Sequence, residues 1–91
     1  MIRKASIHVT GFVQGVYYRY ATKEKADELG ITGTVKNMPD GSVLISCEGE
    51  EEDIRVLIEW CKHGPRGARV DNVDVRWEEP RDGFFDFSVT Y

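Results

Sequence analysis

Gly11-Phe12-Val13-Gln14-Gly15-Val16-Tyr17-Tyr18-Arg19 joins a segment of period two to a segment of helical period. Upstream, Ala5, Ile7 and Val9 alternate with Ser6, His8 and Thr10, as a half-buried strand over residues 5–10 should. Downstream, Tyr18, Ala21, Thr22, Ala26 and Leu29 recur at helical spacing, polar residues fill the positions between, and Gly30 supplies the stop. The start of a helix gathers backbone N–H groups without intrahelical acceptors at the positive end of the helix dipole, where an anion is stabilised. Gly11 and Gly15 can take positive φ, so the loop between them is expected to curl and turn successive N–H groups inward. Arg19 would add a planar fork of donors that matches phosphate oxygens two at a time. The same residues also suit an ordinary strand-to-helix turn, because short glycine patterns are unspecific.

Further out, residues 31–37 and 43–48 read as two strands, the second with Val43, Ile45 and Cys47 on one side. Met38-Pro39-Asp40-Gly41 between them suits a type I turn, so Asn37 falls at a strand end beside a hairpin. Glu50-Glu51-Glu52-Asp53 opens a second helix with Ile54, Leu57, Ile58 and Cys61 as its buried stripe and Trp60 on the flank. Consecutive acids on a helix diverge, so this run is read as a solvated helix start and not as a metal site. Gly64-Pro65 ends the helix, and His63 is expected in its last turn. Val73, Val75 and Trp77 then alternate as a strand, Pro80-Arg81-Asp82-Gly83 reads as a turn, and Phe85, Phe87, Val89 and Tyr91 form a last strand whose aromatics cover core and sheet. The order is β-α-β-β-α-β plus a C-terminal strand. Right-handed crossovers place both helices on one face of an antiparallel sheet, an α+β ferredoxin-like split βαβ sandwich. In that plan the loop after the first strand approaches the end of the second, and Arg19 and Asn37 face one pocket.

Two separated motifs, in order, resemble those of the acylphosphatase family. Gly11, Val13, Gln14, Gly15, Val16, Tyr18 and Arg19 are similar to its signature loop; Gly33-Thr34-Val35-Lys36-Asn37 followed by Asp40-Gly41 is similar to its second motif. The resemblance covers nearly the whole chain and implies the same fold. It also implies hydrolysis of acyl phosphates, with Arg19 binding the phosphoryl group and Asn37 orienting the attacking water. Gly11, Phe12, Val13, Gln14, Gly15, Val16, Tyr17, Tyr18 and Arg19 make up the implied substrate-binding loop; no metal or cofactor is implied. Tyr18 shares the buried stripe, whereas Tyr17 either faces the substrate or is simply half exposed. The chain departs from the family at Thr34, where tryptophan is frequent, a change that bears on packing or the pocket entrance. The terminal carboxylate after Tyr91 is a candidate for orienting Arg19.

With 91 residues, 41% of them hydrophobic, the chain is expected to be one soluble domain spanning 1–91. No apolar stretch reads as a signal peptide or membrane span, so the expected location is the cytoplasm and the expected state a monomer. The net charge of −4, without a basic stripe, argues against nucleic acid. An RNA-binding module of the same element order would display aromatics on its central strands, and residues 5–10 and 43–48 contain none. The expected partners are a small acyl phosphate and its product, inorganic phosphate. His8 lies on a polar face, more fitting for a solvated histidine than a catalytic one. Cys47 and Cys61 lack metal-binding spacing and read as small buried residues; a disulfide between them is sterically open, but a reducing cytosol opposes it.

Overall fold

The computed structural model describes residues 1–80 and 83–91. The elements are β1 (Ile2–Phe12), α1 (Tyr18–Leu29), β2 (Thr32–Asn37), β3 (Val43–Glu50), α2 (Glu51–Cys61), β4 (Arg69–Glu78) and β5 (Phe87–Thr90). The sheet order is β4-β1-β3-β2-β5. The first four strands are antiparallel neighbours, which is the ferredoxin-like α+β plan. Alternation alone did not specify the fifth: β5 lies parallel to β2, with Gly33 opposite Phe87 and Lys36 opposite Thr90.

One face of the sheet, carrying Ala5, Ile7, Val9, Val35, Val43, Ile45 and Cys47, is fully buried against Tyr18, Ala26, Ile54, Leu57 and Cys61 of the helices. Each buried Val, Ile or Leu side chain there contributes about 1.5–3 kcal/mol. Tyr18 fixes the helix pair. Its hydroxyl donates to the Cys61 carbonyl at 2.7 Å and its ring lies 5.5 Å from Trp60, so the start of α1 is tied to the end of α2. Cys47 and Cys61 are both free and buried, and burial pushes each thiol up to about 12.

The outer limits of the strands differ from the sequence expectation. β1 begins at Ile2 because Ile2, Arg3 and Lys4 pair with Glu50, Gly49 and Glu48, which also lengthens β3. At its other end β1 runs to Phe12, paired with Arg69, so the strand does hold an aromatic, at its last position. β5 starts only at Phe87; Phe85 is fully exposed and covers no part of the sheet. The turn expected at Pro80-Arg81-Asp82-Gly83 has its two central residues outside the described residues. α2 stops at Cys61, which leaves His63 beyond the helix, its N–H donating to the Trp60 carbonyl at 3.0 Å. Among the described residues no helix is long and apolar enough to cross a membrane.

Candidate active site

The loop from β1 to α1 curls later than the glycine pattern suggested. Gly11 is still within β1, at a register shift between Thr10 and Gly11, and a Cβ there would lie 2.1 Å from the Arg69 carbonyl oxygen. Gly11 does take positive φ (134°) and lets the β4 backbone approach, and positive φ recurs at Gly15 (φ 76°) and Tyr17 (φ 68°) where the loop turns into α1. Tyr17 is a non-glycine residue in the left-handed region, a conformation costing on the order of 1 kcal/mol. It forms the N-cap of α1, and its carbonyl accepts from the Ala21 N–H at 3.1 Å. No side chain among the described residues caps the first turn, and none of Tyr18, Arg19 and Tyr20 is acidic.

At this helix pole lies a cavity of about 170 Å³ lined by Val13, Gly15, Tyr17, Tyr18, Arg19, Tyr20 and Asn37. Arg19 and Asn37, from α1 and the end of β2, therefore share one pocket. The Arg19 guanidinium donates through Nη1 to the Thr90 carbonyl at 3.0 Å and lies 4.6 Å from the Tyr91 ring centre and 5.9 Å from that of Tyr20. The holder of Arg19 is thus the Thr90 carbonyl, where the terminal carboxylate was the candidate. A neutral carbonyl orients the guanidinium without cancelling its charge, which leaves that charge for a ligand. Asn37 Oδ1 is buried and, among the described residues, has no hydrogen-bond partner. An unpaired buried acceptor is costly unless something in the pocket satisfies it.

The other loop residues divide by task. Val13 is buried and lines the cavity, Val16 packs against the core, and Phe12 is exposed beside Arg69. Gln14 turns its amide away to the β2–β3 hairpin, donating to the Met38 and Ser42 carbonyls at 2.8 Å each. Tyr17, 63% exposed, stacks on Tyr20 with ring centres 5.2 Å apart. Tyr20 and Tyr91, whose hydroxyls are hydrogen-bonded to each other, escaped the sequence reading. Tyr20 could have been found from its i+3 relation to Tyr17, but no local signal marks Thr90 or Tyr91. Thr34 sits opposite Ser46 and Ser88 and does not line the cavity.

The hairpin that carries Asn37 is well fixed. Gly41 N–H donates to the Met38 carbonyl at 3.1 Å and Met38 N–H to the Ser42 carbonyl at 2.8 Å. Asp40 Oδ1 accepts from the Ser42 N–H at 3.0 Å and hydroxyl at 2.5 Å, bonds that hold its carboxyl below the usual range. His8 Nε2 lies 2.7 Å from the Ser42 hydroxyl oxygen, so His8 supports the hairpin from the open face of the sheet. A wider depression on that face, about 310 Å³, is lined by Ser6, His8, Leu44, Asp74, Arg76 and Glu78. Its two carboxylates disfavour a dianion. Among the described residues no three His, Cys, Asp or Glu side chains are grouped to hold a metal ion.

The model of the acylphosphatase family matches residues 5–89. The chain belongs to the acylphosphatase family. It is 47% identical over 89 residues to the acylphosphatase of Caldanaerobacter subterraneus, covering 98% of this chain and 99% of that one. The crystal structure of an acylphosphatase from Bacillus subtilis matches with a TM-score of 0.94 at 35% identity over 100% of both chains. An acylphosphatase structure from Coxiella burnetii gives 0.93 at 38% identity, covering 98% of this chain and 93% of that one. Hydrolysis of acyl phosphates is the reaction of acylphosphatases, and the chain is accordingly a hydrolase that acts on small acyl phosphates.

Proposed function

We propose that the acylphosphatase reaction runs here with Arg19 and Asn37 as the catalytic residues and with neither metal ion nor cofactor. The phosphoryl group sits at the pole of α1, on the N–H groups of the curled loop and the Arg19 guanidinium, while Asn37 holds the water. The observation that carries this reading is that Asn37, whose buried Oδ1 has no partner among the described residues, lines the same cavity as Arg19. That oxygen accepts from water, and as a neutral amide it brings no negative charge beside the phosphate.

The water oxygen attacks phosphorus as the bond from phosphorus to the acyl oxygen breaks, and the carboxylate leaves with the electron pair. A carboxylic acid has a pKa of about 4, so this leaving group departs without a general acid. The water proton passes to a phosphoryl oxygen, giving a carboxylate and inorganic phosphate. Catalysis is then positioning and charge neutralisation, which dominate phosphoryl transfer. Within the loop, Gly15, Val16, Tyr17, Tyr18 and Arg19 form the seat, with Val13 as its floor. Gly11, Phe12 and Gln14 act from behind it.

The purified chain should hydrolyse benzoyl phosphate at an undiminished rate in EDTA, followed by phosphate release; loss of rate on chelation would overturn the metal-free mechanism. We further infer a single domain over residues 1–91 that works as a cytoplasmic monomer and does not bind nucleic acid. The acidic net charge supports the last point. Size-exclusion chromatography should give about the 10.4 kDa chain mass, and a larger species would sink the monomer.

A further inference from the structure

Asn37 is the last residue of β2, and Met38, the next, begins the hairpin neck. That neck closes through Met38 N–H on the Ser42 carbonyl (2.8 Å) and Gly41 N–H on the Met38 carbonyl (3.1 Å). Gln14 reaches it from the phosphate loop, 24 and 28 residues away in sequence, and places its amide nitrogen 2.8 Å from each of those two carbonyl oxygens. A primary amide has two N–H donors, and this one spends both on the neck. Ser42 is also bonded to Asp40 and His8, and Asn37 is paired through Val43 to Val9 of β1, so Gln14 adds a direct tie from the loop to a hairpin neck that is already well fixed.

We infer that Gln14 is a positioning residue: its amide sets the separation between the phosphoryl seat, which begins at the adjacent Gly15, and Asn37. This rests on the reading of Asn37 as the group that aims the water. In-line attack needs the water and phosphorus in register, and a misplacement of about 1 Å costs on the order of a hundredfold in rate. Gln14 is half-buried and outside the hydrophobic core, so its bonds do more for the spacing of these two segments than for the packing of the fold.

The test is a double-mutant cycle of Gln14→Met, which keeps length and loses both donors, with Asn37→Ala. Turnover and KM for benzoyl phosphate, inhibition by inorganic phosphate and thermal unfolding are measured on all four proteins. With Asn37 present, Gln14→Met should lower kcat about thirtyfold to a hundredfold and leave KM and phosphate inhibition within about twofold. In the Asn37→Ala background the same substitution should cost less than about threefold. Equal losses in both backgrounds would mark a merely structural residue and overturn the inference. So would a loss carried by KM and phosphate affinity. If Gln14→Met does not fold, Gln14→Asn, one methylene too short to reach both carbonyls, runs the same cycle with the same outcomes. An Asn37→Ala variant of undiminished turnover would overturn the reading of Asn37 itself, and that single measurement tells the two failures apart.

Discussion

The two helices begin in opposite ways. α2 starts from Glu50 with Glu51, Glu52 and Asp53 in its first turn, so its positive pole is met by its own carboxylates. One of those acids is tied down in turn: Glu51 bonds Arg3 at 2.9 Å and Arg55 at 2.8 Å, and both guanidinium groups lie near the Trp77 ring. α1 starts from a left-handed tyrosine, has no acid in its first turn and puts Arg19 there, a cation at the pole that disfavours cations. One terminus is built for stability. The other gives stability up, and under the proposed mechanism a bound dianion offsets that deficit, as strained geometry at functional sites commonly requires.

The contrast breaks most sharply at Arg19. Arg19→Ala should weaken phosphate binding and lower kcat/KM by about a thousandfold or more, since a guanidinium on a transferring phosphoryl group is worth that much. Phosphate should no longer raise the Tm of this variant, although at a hundred times its Kd a bound anion stabilises the intact site by about 2.7 kcal/mol. Asn37→Ala should cost about a hundredfold in kcat with phosphate affinity nearly kept, read from inhibition by inorganic phosphate.

Making α1 resemble α2 sharpens the comparison. Tyr20→Glu puts a carboxylate in the first turn, where it competes with the substrate, and should raise KM about tenfold relative to Tyr20→Gln, which loses the ring but adds no charge. Making α2 resemble α1 should have the smallest effect. Glu51→Gln should lower Tm by about 3 °C at neutral pH with no change in turnover. Hydrogen bonds from Arg55 and Arg3 hold the Glu51 carboxyl below its usual range. Its contribution is therefore fully present above the unfolded value of about 4.3 and fades as pH falls through the lower folded value. The Tm gap between wild type and Glu51→Gln should close in acid and persist at pH 7.

Local pattern carried the architecture because the elements announce themselves within a few residues: the alternation of Ala5, Ile7 and Val9, the helical stripe of Ile54, Leu57 and Cys61, the turn at Met38-Pro39-Asp40-Gly41. Arg19 and Asn37 were also nameable, since resemblance attaches to short motifs. What escaped was set by partners distant in sequence. Ile2 to Lys4 look like a terminus until Glu48 to Glu50 pair with them. Gly11 has the positive φ expected of it, but the Arg69 carbonyl that stands where its Cβ would be leaves no local mark. The side-chain partners of Gln14, the Met38 and Ser42 carbonyls, lie more than twenty residues away and leave no local mark. Phe85 keeps the alternation of a strand, yet pairing with β2 begins only at Phe87.

The Thr90 carbonyl that aims Arg19 belongs to a four-residue strand on the rim of the sheet, paired among the described residues with β2 alone. Such an edge frays before the interior opens. On warming, the guanidinium should lose its rest while β1 to β4 stay paired. Catalysis would then fail at a lower temperature than the far-ultraviolet dichroism of the sheet, and an anion in the pocket would narrow the interval.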